Sequence, residues 1–291
     1  MDWVRGAGRL LDAVAKANEG LANLAASDEM LSRIDRVKTQ LGPEGVDPFG
    51  FDPSYVRQLI GFGSWLYRYY FRCQVFGMHN LPEGRCLLVA NHSGQLPYDG
   101  MMIALSAFFD GEPPRAVRSM VDRFVPNTPF VSPTLARLGQ VLGTPQNCER
   151  LLKDEQAILV FPEGVQGLNK LYRDRYRLQR FGHGFMRLAL KMRAPIVPVA
   201  VIGAEEQAPS FANMRALGRL VGLPALPLTI APLFGAIPLP TRYRLHFGTP
   251  MVFEGDADDE EPAVAQKVRE VKHRLQSMVH DGLRAREHIF W

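Results

Sequence analysis

The chain has 291 residues, enough for one large α/β domain or two smaller ones. Apolar residues make up 46% and charged residues 22%, a globular composition that excludes a largely disordered chain. The net charge of +4 does not by itself indicate a nucleic-acid-binding protein, and no recognition motif of that class occurs. Because Cys73, Cys86 and Cys148 form neither a CxxC pair nor a Cys/His cluster, we expect no metal site and reduced, cytosol-facing thiols.

Residues 1–53 are predicted to form an amphipathic helical region, with helix over 1–41 and a linker rich in Gly, Pro and Asp after it. Charges are scattered through its beginning, so we expect no secretory signal. Ser54 is predicted to cap a helix over about 54–72. The aromatic and Arg side chains of that helix suit either a lipid headgroup interface or packing against the rest of its own domain.

Residues 54–291 are predicted to form one α/β domain, because short apolar runs alternate with helical stretches. This pattern predicts a central, mostly parallel mixed sheet flanked by helices, with the N-terminal helical region associating with a membrane. The alternating segment 243–248 is predicted to be an edge strand. A final helix, with Pro262 in its first turn, follows an acidic stretch. The predicted buried strands are 86–90, 116–121, 157–161 and 196–202.

The segment 220–240 carries no charge and contains several prolines. Interior prolines kink a helix, so a continuous membrane-spanning helix is not expected there. Three interpretations stay open: the segment dips into a membrane, folds over an acyl chain, or packs as a buried loop.

Asn91 and His92 directly follow the first predicted strand, and Asp99 lies seven residues beyond His92. In open α/β sheets, functional groups lie beyond the carboxyl ends of the strands. A neutral imidazole there can remove a proton from an attacking hydroxyl, and a carboxylate on its other nitrogen would fix the tautomer. The alternative is a histidine that hydrogen-bonds a loop and an aspartate that caps a helix.

A second polar element, Phe161-Pro162-Glu163-Gly164-Val165-Gln166-Gly167, follows the strand predicted at 157–161. A parallel sheet places both elements at the same edge, which indicates one crevice with two polar sides.

Together with the apolar, proline-containing stretch at 194–206, these motifs resemble the glycerolipid acyltransferases, the family of the bacterial lysophosphatidic acid acyltransferases. The resemblance covers about 85–206 and implies an α/β fold, an acyl-CoA or acyl-carrier-protein donor, and neither a metal nor a bound cofactor. It implies that His92 is the general base and Asp99 its orienting partner, and that Glu163 and Gly164 help to hold the acceptor. The other residues of the motifs assigned to substrate binding are Asn91, Phe161, Pro162 and Gln166.

Three departures from the family pattern bear on the acceptor. Six residues rather than four separate His92 from Asp99, the stretch 138–147 lacks the usual Arg, and Gln166 replaces another Arg. Because paired Arg contacts suit phosphate, their loss favours a neutral acceptor such as diacylglycerol. A basic cluster just beyond could instead bind a phosphate, coenzyme A, an acidic carrier protein or lipid headgroups, and we assign its first two members to substrate binding. The cluster consists of Lys170, Arg173, Arg175, Arg177 and Arg180.

The sequence therefore predicts an O-acyltransferase, peripheral or monotopic on the cytoplasmic face of a membrane, acting on an acyl thioester and a lipid hydroxyl. Since no GxSxG nucleophile motif occurs, direct transfer is favoured over a covalent acyl-enzyme. One alternative is a lysophosphatidate acyltransferase. The other is a non-catalytic membrane lipid-binding protein, in which the unusual spacing from His92 to Asp99 marks lost chemistry.

Overall fold

The computed structural model describes residues 26–93, 97–122, 131–168, 170–214, 226–232 and 237–290. The strands in this part of the chain are β1 Gln74–Phe76, β2 Cys86–Ala90, β3 Val117–Val121, β4 Val141–Leu142, β5 Ala157–Val160, β6 Ile196–Ile202, β7 Ser210–Met214, β8 Leu226–Thr229 and β9 Arg244–Phe247. Seven of them form one sheet in the order β1-β9-β6-β2-β5-β3-β4. Its neighbours are parallel except for the antiparallel pair of β6 and β9, so the predicted mostly parallel mixed sheet is confirmed.

Helices cover both faces of this sheet, as the prediction of an α/β fold requires. Helix α2, Pro53–Trp65, continues into a π-helical turn, Leu66–Tyr70, and short 3₁₀ turns occur at Met78–Asn80 and Tyr172–Asp174. The α-helices are α1 Asp28–Asp35, α2 Pro53–Trp65, α3 Tyr98–Phe109, α4 Val131–Arg137, α5 Pro145–Lys153, α6 Val165–Leu168, α7 Gly184–Met192, α8 Ala204–Gln207 and α9 Glu261–Arg284.

The central strands are buried along their whole length, which explains their unbroken apolar sequences. In β2, Leu87 and Val89 face a cluster that includes residues of α5, α7 and α9. Leu88 and Ala90 face the opposite cluster, which includes residues of α2 and α3. Because the two apolar clusters pack against β2 from both faces, the residues that follow its carboxyl end are attached to a rigid strand.

The N-cap of α2 is Asp52 rather than Ser54, which corrects the sequence prediction. The Asp52 carboxylate accepts hydrogen bonds from the backbone N–H groups of Ser54 at 2.9 Å and Tyr55 at 3.1 Å. Pro53 therefore occupies the first turn, where a missing N–H costs nothing. Tyr67 and Phe71, just beyond this helix, are buried in the domain, so packing rather than an interface accounts for these two aromatic residues.

The helix predicted over 1–41 is shorter in the described part, because α1 ends at Asp35. Arg33 of α1 is buried and donates hydrogen bonds to the carbonyl groups of Phe108 at 2.9 Å and Gly111 at 2.6 Å. Residues 1–25 lie outside the described residues, so membrane association of the N-terminal region and the boundary at residue 53 stay predictions. No helix in the described part of the chain is long and apolar enough to span a membrane.

Strand β9 lies between β1 and β6, so the prediction of an edge strand at 243–248 is wrong. Three-residue β1 occupies that edge instead, and its shortness left no recognisable pattern in the sequence. Two-residue β4, at the opposite edge, escaped prediction for the same reason.

Within the described residues, strands β7 and β8 pair only with each other, as an antiparallel ribbon apart from the main sheet. The ribbon belongs to the excursion between β6 and β9, which contains the predicted segment 220–240. Within that segment, 220–225 and 233–236 lie outside the described residues. The two ends of the excursion meet: Tyr243 Oη donates to Gln207 Oε1 at 2.5 Å, and Leu239 N donates to Gln207 O at 2.7 Å.

Candidate active site

The imidazole of His92 and the carboxylate of Asp99 are in direct contact. Nδ1 of His92 lies 2.7 Å from Oδ2 of Asp99, which also accepts the backbone N–H of Ser93 at 3.0 Å. Asp99 lies in the first turn of α3 and is fully buried. The seven-residue separation thus still allows the contact expected from the sequence. A carboxylate on Nδ1 favours the tautomer with its proton there, leaving Nε2 able to accept a proton.

The Phe161-Pro162-Glu163-Gly164 turn lies beside His92 because β2 and β5 are parallel neighbours in register. The rings of Phe161 and His92 stack, with centroids 4.0 Å apart and planes 18° apart. Stacking and the Asp99 contact together fix the plane of the imidazole, whose side chain is only 9% exposed. Both predicted polar elements therefore meet at one edge of the sheet.

The Glu163 carboxylate is used entirely inside the protein. Its Oε1 accepts the backbone N–H of His92 at 3.0 Å, and its Oε2 accepts that of Gln179 at 2.7 Å. The Lys170 ammonium lies 3.4 Å from the same Oε2. Glu163 thus ties the backbone of His92 to the segment that leads into α7, and its contacts are those of a positioning residue.

Lys170 is buried between two carboxylates, since its Nζ also donates to Glu205 Oε1 at 2.8 Å. Burial alone would lower the pKa of Lys170, but the charges of Glu205 and Glu163 outweigh that effect and raise it. Burial raises the pKa of Glu205 to about 7, although Lys170 opposes the shift. The two residues form an internal ion pair behind Glu163.

Close packing brings Gly167 of α6 against His92. A Cβ atom at Gly167 would lie 2.8 Å from the His92 Cβ and 3.1 Å from the Glu163 Cβ. Real Cβ atoms do not approach other atoms at 2.8 Å, so only glycine allows this contact without a shift. Gly164, by contrast, has a φ of +53°, which glycine adopts readily in a tight turn.

A cleft of about 570 Å³ opens beside the turn and is lined by 161–166, 180–183 and Glu261. Phe161 lines this cleft and also stacks on His92, so it connects the cleft to the imidazole. Gln166 and Arg180 bring an exposed amide and an exposed guanidinium to the cleft. Within the described residues, no group of His, Cys, Asp or Glu side chains is arranged to hold a metal ion.

Comparison with known proteins shows the family to which this chain belongs. Residues 72–202 match the family model described as Acyltransferase. Uncharacterised proteins of Mycobacterium tuberculosis and Mycobacterium leprae are each 38% identical to this chain. The aligned regions cover 86% of it and 73% and 71% of those proteins, respectively. The chain belongs to the acyltransferase family. The resemblance to glycerolipid acyltransferases, stated from the sequence motifs, is thereby confirmed.

Two further proteins that resemble this acyltransferase have names that refer to lipids. The human protein named "DGAT1/2-independent enzyme synthesizing storage lipids" is 26% identical over 196 residues, which cover 67% of this chain and 58% of that protein. The crystal structure of the 1-acyl-sn-glycerophosphate (LPA) acyltransferase PlsC from Thermotoga maritima covers 97% of this chain and 98% of its own. It is 17% identical with a TM-score of 0.50, a likeness of fold alone.

The predicted site residues of the acyltransferase fall into three groups. Phe161, Pro162, Glu163, Gly164 and Gln166 line the cleft. His92 stacks on Phe161, and Asp99 in turn contacts His92. Asn91, Lys170 and Arg173 are not among the residues that line the cleft. 

Asn91 does not line the cleft. Its side-chain amide exchanges two hydrogen bonds with the backbone of Val201, at 2.9 Å and 2.8 Å, and so joins β2 to β6. Lys170 is buried in its ion pair, whereas Arg173 is exposed on the surface beside Asp174. The predicted basic cluster is therefore divided, and only Arg180 reaches the cleft. The roles assigned to these residues stay predictions.

Sequence reasoning missed three parts of the acyltransferase site. Gly167 was visible as the end of the second motif, but only the structure shows its contact with His92. Glu205 belongs to the stretch 194–206, yet nothing local predicts that it pairs with Lys170 across 35 residues. Gln179 contributes its backbone N–H, which no side-chain pattern can reveal.

Proposed function

We propose that this acyltransferase moves a fatty acyl group from an acyl thioester to a lipid hydroxyl, with His92 as the general base. The observation that carries the proposal is the 2.7 Å contact between His92 and buried Asp99, next to a cleft. That contact also argues against a non-catalytic lipid-binding protein, because the unusual spacing leaves the pair intact.

In the proposed reaction, Nε2 of His92 takes the proton of the acceptor hydroxyl while the oxygen attacks the thioester carbonyl. The carbon–sulfur bond then breaks, and the imidazolium returns its proton to the departing thiolate. Asp99 stabilises the imidazolium that exists between the two transfers. The acyl group passes directly to the acceptor, so no residue of the protein carries it covalently.

A neutral acceptor such as diacylglycerol is favoured by the charges around the cleft. Lys170 is already neutralised by two carboxylates, and an amide, Gln166, borders the cleft where the family usually has Arg. The human relative is named as an enzyme synthesizing storage lipids, and this name supports the same choice. Arg180 supports the second candidate, a lysophosphatidate acyltransferase, since its exposed guanidinium at the cleft can bind a phosphate.

We expect His92→Ala to abolish acyl transfer without changing the melting temperature by more than a few degrees. Diacylglycerol and lysophosphatidate would be offered together, with labelled acyl-CoA in one arm and labelled acyl-carrier protein in the other. Mass spectrometry of the products then identifies donor and acceptor. His273→Ala, which alters an exposed histidine on α9, is the matched control and should retain full activity. Normal turnover by His92→Ala would refute the assignment of the base.

A further inference from the structure

The excursion between β6 and β9 exposes a concentration of large apolar side chains. Four of the nine exposed large hydrophobic residues in the described part of the chain lie within it. Their exposed fractions are 55% for Phe211, 52% for Leu228, 65% for Ile230 and 48% for Ile237. Phe211 and Leu228 lie on the paired strands β7 and β8, and Ile230 and Ile237 follow in the same excursion. The term apolar face denotes these four residues. Single exposed apolar residues are ordinary, but a group of them marks a surface that a partner covers.

The ribbon that carries much of this face lacks support from the main sheet. Strands β7 and β8 pair with each other and with no strand of the seven-stranded sheet. A two-stranded ribbon is at best marginally stable in water on its own. A partner that covers the apolar face would therefore also stabilise the ribbon.

The charged residues around the apolar face indicate which kind of partner covers it. From residue 207 to residue 253 the sequence contains no Asp or Glu, and Arg is its only charged residue type. Next to the ribbon, the Tyr172 ring lies 6.2 Å from that of Phe211, and the Arg175 guanidinium lies over Tyr172 at 4.5 Å. Arg173 and Arg177 are exposed on the same short segment. Over residues 170–180 the sequence has four Arg and one Lys against a single acid, Asp174, which pairs with Arg173. Apolar side chains beside such a net basic segment match a bilayer with anionic headgroups.

The π-helical turn that follows α2 contacts the excursion next to Ile237. Tyr70 Oη donates to the carbonyl of Pro238 at 2.7 Å, and the ring of Tyr70 contacts that of Trp65. Trp65 in turn stacks with Phe62, which is exposed. Aromatic residues with one polar end are suited to the boundary between lipid and water.

We propose that the apolar face docks into an anionic lipid bilayer, with Arg173, Arg175 and Arg177 against the headgroups. The docked surface lies close to the site, because β7 follows directly after α8, whose Glu205 pairs with Lys170 behind Glu163. Docking would hold the cleft near the lipids of the bilayer. This docking proposal does not depend on which acceptor is used, or on the proposed reaction being correct.

Vesicle binding of the full-length chain tests the proposal. Vesicles of phosphatidylcholine alone, and of phosphatidylcholine and phosphatidylglycerol in equal amounts, would be sedimented with wild type and variants. We expect Phe211→Ser with Leu228→Ser to weaken binding about tenfold or more, given the apolar area removed. The matched control, Leu41→Ser with Val252→Ser, removes two exposed apolar residues elsewhere and should bind like wild type.

Changing Arg173, Arg175 and Arg177 to Gln should weaken binding to the phosphatidylglycerol vesicles about tenfold and leave binding to phosphatidylcholine nearly unchanged. Equal losses on both vesicles would contradict the role given to these arginines.

A single-site probe covers the case in which the double Ser variant fails to fold. Leu228→Cys labelled with an environment-sensitive fluorophore should shift to the blue when vesicles are added, whereas Val252→Cys should not. An unchanged spectrum at 228 would overturn the proposal. So would a wild-type dimer that the Ser variant converts to a monomer with unchanged vesicle affinity, because a second copy would then be the partner.

Discussion

The Glu163 carboxylate is placed to position another residue of the site rather than to contact a substrate. Both of its oxygens accept backbone N–H groups, from His92 and Gln179, and Lys170 balances its charge. The Glu163 side chain is also fully buried, so an acceptor hydroxyl does not reach its carboxylate in this arrangement. Contacts with the acceptor are better assigned to Gly164 and Gln166, which lie exposed on the cleft beside it.

Asp99→Asn should reduce kcat about a thousandfold, because a neutral amide can neither fix the productive tautomer of His92 nor stabilise the imidazolium. The amide oxygen can still accept the Ser93 N–H, so the fold should persist. Asp110→Asn, just after the opposite end of α3, is the control and should keep kcat within a few-fold. Steady-state kinetics at saturating donor distinguish the two. Equal losses in both variants would mean that α3 had been disturbed.

Glu205 gives the protein a predictable dependence of stability on pH. Its folded pKa is about 7 and its ordinary pKa 4.5, so between these values the folded state binds more protons than the unfolded state. Stability should therefore fall as pH rises through this window, by about 3 kcal/mol relative to Glu205→Gln. Urea unfolding of both proteins from pH 4.5 to pH 8 measures the difference. Parallel curves for the two proteins would refute the assignment.

Among the elements, the turn after β5 and the short helix α6 act as one unit that supports the histidine. Glu163 holds the backbone of His92 from one side, and Gly167 packs against its Cβ from another. Both contacts arise because β2 and β5 are adjacent, parallel and in register. The sheet therefore sets the position of the imidazole through the turn after β5 and the short helix α6.

Gly167→Ala tests this coupling, since a methyl group there must displace the His92 backbone or α6. We expect kcat to fall at least about tenfold and the free energy of unfolding to fall by about 1–3 kcal/mol. Gly184→Ala is the matched control, because a Cβ at Gly184 meets no atom within 4 Å. It should leave both activity and stability nearly unchanged. A fully active Gly167→Ala enzyme would show that the contact is dispensable.

For the molecule as a whole, the buried strands and the two motifs at their ends could be predicted because their signals are local. The runs at 86–90 and 196–202 coincide with β2 and β6, and His92 meets Asp99 as expected. The place of β9 could not be predicted, because strand order depends on pairings between distant segments. The same holds for Lys170, whose basic neighbours in sequence gave no sign of its buried carboxylate partners.

The closed base of the excursion between β6 and β9 bears on changes in its length. Since Gln207 contacts both Leu239 and Tyr243, the chain leaves and rejoins the core at nearly one point. Insertions between such neighbouring anchors cost little, because loop-closure entropy grows slowly with length. Insertions and deletions within this excursion should therefore be tolerated while the sheet and the residues around His92 keep their structure.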